Sequence, residues 1–147
     1  MNIQDDIVAR FIDRCYESGI KDPIRFLLDK MPRVYGYLKG AFPRGILPTD
    51  IDGEVEINGQ FLRLEFKHHE ALRGGRVPKG QIRCFESLLD TGRFTVFLIG
   101  HDQAGAAELV HVWGSRGRKV FDPCDNSKLY QLCSQWAHMA ESQKQNK

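Results

Sequence analysis

The chain of 147 residues has the length of one ordinary domain, and it can bury a core without disulfide bonds or metal staples. Its hydrophobic content of 41% and charged content of 27% are typical of a soluble globular protein and not of a disordered or membrane protein. A net charge of +2 does not indicate nucleic-acid binding by itself, so the placement of the charges matters more than their sum.

The sequence contains no signal peptide and no apolar run of about 18 residues that could span a bilayer. Its four cysteines have no CxxC spacing, which predicts free thiols rather than a disulfide framework. We therefore expect a single cytoplasmic domain over residues 1–147 that has no membrane contact. Its parts would be N-terminal helices and an aromatic loop (1–47), a catalytic core (48–113), and a C-terminal basic loop and helix (114–147).

Two amphipathic helices are predicted at the N-terminus. The first carries apolar residues at helical spacing from Ile7 to Cys15 and ends at Gly19, a residue type favoured just after a helix. The second begins at Asp22–Pro23, because proline is favoured at the first helical position. Residues 33–47 mix aromatic and basic residues, which is typical of a loop packed on a sheet and also of a surface that stacks on unpaired bases.

The segment 48–67 predicts a β-hairpin, because Asn58–Gly59 separates two alternating runs and both residues suit a type I′ turn. Since side chains alternate along a strand, the turn assigns each residue to one of two faces. One face is apolar and is predicted to be core. It comprises Ile51, Val55, Ile57, Leu62, Leu64 and Phe66.

The other face of this hairpin is polar and sets Asp52 directly opposite Glu65. Opposed like charges destabilise a sheet, but two converging carboxylates suit a hard divalent cation that takes oxygen ligands. Lys67 lies on the same face and could orient or deprotonate an attacking water. The face also fits ordinary cross-strand ion pairs, namely Glu54 with Arg63 and Asp50 with Lys67.

Asp52, the hairpin and the run Glu65-Phe66-Lys67 together resemble the core signature of the PD-(D/E)xK nuclease superfamily. The spacing resembles that of its small Holliday-junction-resolvase-like and VRR-NUC-like members. The resemblance implies that Asp52, Glu65 and the backbone carbonyl of Phe66 bind Mg²⁺ or Mn²⁺. It also implies that Lys67 is catalytic.

The resemblance covers Pro48 to Trp113 and further implies a supporting glutamine at the start of the next helix, where this chain has Gln81. In the family a proline directly precedes the aspartate, whereas here Pro48 is followed by both Asp50 and Asp52. Either aspartate could therefore be the principal ligand. The hairpin register favours Asp52, with Asp50 as an additional metal ligand.

The remaining core elements follow the hairpin. Residues 68–80 lack apolar periodicity and predict a mobile loop, in which the adjacent His68 and His69 would point to opposite sides. A helix over 81–90, strands over 94–99 and 108–113, and a last helix capped by Asp125, Asn126 or Ser127 are predicted. The fold class is therefore α/β, a mixed sheet of about four or five strands flanked by helices in three layers. The family core has the same restriction-endonuclease-like arrangement.

Basic residues are concentrated after Lys67. Beside a metal site that receives a polyanion they are candidates for phosphate contacts, although such clusters are also common on solvated faces. The candidates are Arg73, Arg76, Lys79 and Arg83.

These observations predict an Mg²⁺- or Mn²⁺-dependent endodeoxyribonuclease, which could be structure-selective. The alternatives are an inactive nucleic-acid-binding or interaction protein on the same fold, and an RNA-processing nuclease. The apolar stripe of the last helix fits either core cover or the face of a homodimer.

Overall fold

The computed structural model describes residues 3–30, 43–45 and 51–143. Contacts divide the chain into two compact units, Met1–Asp50 and Ile51–Lys147, so the single domain stays a prediction. Asp50 lies outside the described residues. So does the predicted aromatic loop over 33–47, apart from a 3₁₀ turn at Pro43–Gly45.

Both predicted N-terminal helices are confirmed, as α1 (Ile3–Glu17) and α2 (Pro23–Lys30). Gly19 follows α1 with a φ of 78°, a left-handed conformation that glycine adopts without steric cost. Asp22 caps α2, because its Oδ1 accepts a hydrogen bond from the Arg25 N–H at 3.0 Å. Among the helices that the structure describes, none is long and apolar enough to cross a membrane.

The second unit is a five-stranded mixed sheet flanked by helices, which confirms the predicted fold class. The strands lie in chain order, with β2 and β3 parallel and every other neighbouring pair antiparallel. They are β1 (Gly53–Ile57), β2 (Gln60–His68), β3 (Phe94–His101), β4 (Ala107–Gly114) and β5 (Gly117–Phe121). The helices are α3 (His69–Arg73), α4 (Lys79–Asp90) and α5 (Asn126–Ser142), and Asp125 caps α5 as one of the predicted residues.

Strand β3 lies at the centre of the three layers. Val96 and Leu98 pack in one apolar cluster with Phe85 of α4, whereas Phe97 packs in another with Trp136 of α5. Alternate residues of a strand point to opposite faces, so α4 and α5 cover opposite faces of the sheet. This burial on both faces explains the continuous apolar run of β3.

The hairpin has the predicted turn and register. Asn58 and Gly59 have φ values of 53° and 76°, and the pairing runs from Ile57↔Gln60 to Gly53↔Leu64. Asn58 also ties this turn to the end of α5, because its Nδ2 lies 3.4 Å from the carbonyl oxygens of residues 140 and 141.

The prediction that the whole apolar face of the hairpin is core was wrong at its open end. Ile51, Val55 and Phe66 are 51%, 43% and 41% exposed, whereas Leu62 is buried. These three side chains lie outside the apolar cluster in which α5 packs against Leu62.

Two segments predicted as loops are regular. The predicted loop 68–80 contains α3, which buries Leu72 but is too short for a periodic pattern to be visible. The predicted basic loop after Trp113 contains the edge strand β5, which exposes four of its five residues and so shows no apolar alternation. Helix α4 begins at Lys79, two residues before the predicted start.

Gly100 allows α3 to lie against β3. A Cβ at this position would overlap Cδ2 of Leu109 in β4, and it would lie 3.0 Å from Cγ of Leu109 and 3.2 Å from the Cα of His69. We predict that Gly100→Ala lowers the free energy of unfolding by about 1–3 kcal/mol, the usual cost of overpacking. Gly114→Ala is the matched control, because its Cβ would meet no atom within 4 Å. Equal denaturation midpoints for the two variants would contradict the close packing of Leu109 and α3 around Gly100.

Candidate metal centre

Four side chains predicted from the sequence come together near the C-terminal end of β2. Glu65 and Lys67 are alternate residues of that strand and therefore share a face. Asp52 lies just before β1, and its Oδ2 accepts a hydrogen bond from the Phe66 N–H at 2.8 Å. Gln81 lies in the first turn of α4, and its Nε2 donates to Oε1 of Glu65 at 2.6 Å. Two strands and a helix thus position the group.

Glu65 is unusual because its carboxyl group is buried. It is 4% exposed and is the one buried charged side chain in the part of the chain that the structure describes. Burial raises the pKa of Glu65 from 4.5 to about 7, and the negative charge of Asp52 adds to the rise. Lys67 and Gln81 act in the opposite direction. Near neutral pH the carboxyl group therefore holds a proton for part of the time unless a cation compensates it.

Two oxygen atoms at this position are buried and have no hydrogen-bond partner: Oε2 of Glu65 and Oε1 of Gln81. Leaving such a group unsatisfied costs about 1–3 kcal/mol, so each one calls for an explanation. Both are hard oxygen donors, and the Glu65 carboxyl group lies close enough to a second carboxylate, that of Asp52, for the charge of Asp52 to raise its pKa. The residues present therefore fit a hard divalent cation.

Two carboxylates, those of Asp52 and Glu65, could hold a divalent cation at this position. No group of three or more His, Cys, Asp or Glu side chains converges within the described ranges 3–30, 43–45 and 51–143. Mg²⁺ typically uses one or two carboxylates and keeps several waters, which matches Asp52 and Glu65. The predicted ligands Phe66, through its carbonyl, and Asp50, which lies outside the described residues, stay predictions.

The predicted phosphate-binding residues Arg76, Lys79 and Arg83 are exposed, but the fold does not bring all of them to Glu65. Lys79 and Arg83 each lie two residues from Gln81 in α4. Two residues correspond to about 200° around a helix, so these side chains point away from the carboxylates. Their predicted contact with DNA would involve the flank of the site rather than its centre.

Arg73 makes internal contacts that the sequence did not reveal. Its Nε and Nη2 donate to the two oxygens of Asp122 at 3.2 and 3.0 Å, and its Nη1 donates to Oε2 of Glu108 at 3.2 Å. The paired guanidinium lowers the pKa of the Asp122 carboxyl group. This Arg73 cluster ties α3 to the start of β4 and the end of β5. A phosphate contact by Arg73 would have to compete with both carboxylates.

Glu108 and Asp122 lie at neighbouring ends of β4 and β5. The sequence predicted a loop in place of β5, so it did not bring Asp122 close to Glu108.

The expectation that His68 and His69 point to opposite sides was wrong, since their ring centroids are 4.5 Å apart. His69 is the first residue of α3, so the alternation of an extended strand does not apply to it.

We predict that metal-free protein is destabilised by Glu65 as the pH rises. A carboxyl group whose folded pKa is raised stabilises the fold below its unfolded pKa of 4.5, and the contribution is lost as the pH passes through about 7. The shift corresponds to a loss on the order of 3 kcal/mol. Glu65→Gln should therefore be more stable than wild type at pH 8 in chelator, with a smaller difference at pH 5. Parallel pH profiles from denaturant titration would contradict the raised pKa.

We further predict that Arg73→Gln lowers the melting temperature, because Asp122 and Glu108 lose their shared cation. Arg76→Gln is the matched control, since Arg76 is exposed and has no recorded ion pair among the described residues. Differential scanning calorimetry should show a lower melting temperature for Arg73→Gln alone. An equal effect of both substitutions would mean that the Arg73 cluster adds nothing specific to stability.

Comparison with known proteins gives no further assignment. No family model, no curated protein and no solved structure matches the chain. The chemical argument for the centre therefore rests on the contacts of Asp52, Glu65, Lys67 and Gln81 themselves.

Proposed function

We propose that this protein is a Mg²⁺- or Mn²⁺-dependent nuclease that hydrolyses phosphodiester bonds in DNA. The observation that carries the proposal is the buried Glu65 carboxylate, which has an unpartnered oxygen and lies beside Asp52. A structural ion pair would have satisfied that oxygen, whereas a cation site requires it to be free. The resemblance of Asp52 and Glu65-Phe66-Lys67 to the PD-(D/E)xK signature supports the same chemistry.

Each residue of the centre then has a distinct task. When bound, the cation would polarise the phosphate and lower the pKa of a water molecule. Asp52 and Glu65 would hold it, while the Gln81 hydrogen bond keeps Glu65 in one orientation. The ammonium group of Lys67 would position the attacking water and offset the charge that develops on the phosphate. Its influence on the pKa of Glu65 supports this proximity.

The reaction would take place in the cytoplasm. Cys15, Cys84, Cys124 and Cys133 are all free thiols, as the sequence predicted, and a reducing compartment keeps thiols in this state.

The decisive experiment separates cation binding from catalysis. Wild-type protein should cleave DNA in the presence of Mg²⁺, and Mn²⁺ should raise its melting temperature. Asp52→Ala should lose both effects, because it removes a ligand. Lys67→Ala should reduce the cleavage rate by a factor on the order of 10² or more, the size of one general acid–base contribution. Its melting temperature should still rise when Mn²⁺ is added.

Lys21→Ala, which removes an exposed lysine of the N-terminal unit, is the control for loss of charge. Supercoiled, linear and branched DNA and an RNA substrate belong in the same assay. Cleavage of RNA alone would replace DNA as the substrate. Wild-type protein that cleaves none of them while showing the Mn²⁺ shift would indicate an inactive binding protein, and full activity of Lys67→Ala would exclude the proposed role of that lysine.

The exposed cations beside the centre are predicted to contact phosphates. If Arg76, Lys79 and Arg83 each contact one phosphate, replacing all three with serine should reduce the slope of log affinity against log salt by roughly 3 units on duplex DNA. Cleavage at saturating DNA should persist, because these side chains position the backbone and do not reach the reacting atoms. An unchanged salt slope in fluorescence anisotropy titrations would show that DNA follows another path.

A further inference from the structure

A concave region, which we call the groove, lies on the sheet face opposite to Glu65. Glu65 is paired with Leu98 and shares its face, whereas this groove includes Phe97, which points the other way. The groove has a volume of about 500 Å³ and lies between α5 and strands β3, β4 and β5. Its volume falls within the range of roughly 300–1,000 Å³ that is typical of small-molecule sites.

The groove surface is mainly apolar. Strands β4 and β5 contribute Val112 and Phe121, and α5 contributes Leu132, Trp136 and Met139. Met139 is 44% exposed, so the apolar surface is accessible from solvent. An apolar ligand body would release water from this surface, at about 25 cal/mol per Å² of area buried.

Uncompensated positive charge lies at the edge of the same groove. Lys119 is paired with Val112 in the sheet and so shares the groove face, and Arg116 lies in the turn between β4 and β5. Neither has a recorded ion pair or side-chain hydrogen bond among the residues that the structure describes. Arg118 is different, because its guanidinium lies 2.9 Å from Glu86 and 3.8 Å from the centre of the Trp113 ring.

None of the described residues that line the groove is acidic. The groove therefore combines an apolar floor with two unpaired cations, Arg116 and Lys119. This combination complements a molecule with an apolar body and one anionic group. A neutral molecule would leave the cations unused, and a cationic one would be repelled.

We propose that the groove binds a small amphiphilic carboxylate, such as a medium-chain fatty acid. The hydrocarbon chain lies along Val112, Phe121 and Met139, and the carboxylate lies between Arg116 and Lys119. This site is independent of the proposed nuclease centre on the other face.

The experiment is a calorimetric titration of the full chain with decanoate below its micelle concentration. Decyltrimethylammonium, which has the same chain length and the opposite charge, is the control ligand. Decanoate should bind saturably at one site, at least about tenfold more tightly than decyltrimethylammonium. The reason is that the cationic ligand meets repulsion where decanoate makes two attractive charge contacts. Absence of saturable decanoate binding, or equal binding of both ligands, would overturn the proposal.

Two pairs of variants locate the site. Arg116→Gln/Lys119→Gln should weaken decanoate binding about tenfold, whereas Lys21→Gln/Arg25→Gln, which removes two exposed cations from the N-terminal unit, should leave it unchanged. Met139→Glu should abolish binding by placing a negative charge in the groove, and Met139→Leu should preserve it. Equal affinities within either pair would place decanoate elsewhere and reject the groove as its site.

Discussion

The hydrogen bond from Gln81 Nε2 to Glu65 Oε1 is the interaction on which the arrangement around Glu65 depends. It joins the first turn of α4 to β2 across the interior and gives the buried carboxyl group its protein donor. Burying a charge without a partner is costly, so this contact is what makes a carboxylate tolerable at 4% exposure. It also orients the carboxylate, because one oxygen is engaged while Oε2 remains without a partner. A single bond therefore both supports the fold and leaves an oxygen for a cation.

The burial of Glu65 and its closeness to Asp52 destabilise the charged form of the Glu65 carboxyl group. The rise in the pKa of Glu65 means that the fold is less stable with both carboxylates charged. The apolar clusters on the two faces of β3 supply the stability that offsets this cost. A cation between the carboxylates would replace their mutual repulsion by attraction to the cation, so cation binding would raise the stability of the fold.

The segment after Lys67 is held by contacts of a different kind. Gly100 lies beside Lys67 in the sheet, and its missing side chain lets the backbone of α3 approach β3. The Arg73 cluster then ties α3 to Glu108 and Asp122. Steric space on one side and paired charges on the other thus determine where the chain turns after Lys67. A basic residue that looks like a phosphate contact in the sequence can be an internal tie in the fold.

What the sequence by itself determined was local. The Asn58–Gly59 turn specified the hairpin register because its φ angles admit few residue types, and the helices other than α3, together with β3, followed from periodicity and caps. That register was enough to predict that Asp52 and Glu65 converge.

Tertiary structure alone decided the contacts between distant parts of the chain. Arg73 and Asp122 are 49 residues apart, and no local pattern records that they meet. The short α3 and the exposed edge strand β5 have too little apolar periodicity to be read, since one is held by Leu72 and the other by pairing with β4. Val55 and Phe66 are exposed and lie outside the apolar cluster in which α5 packs against Leu62. Periodicity shows which residues can be buried, but only packing decides which of them are covered.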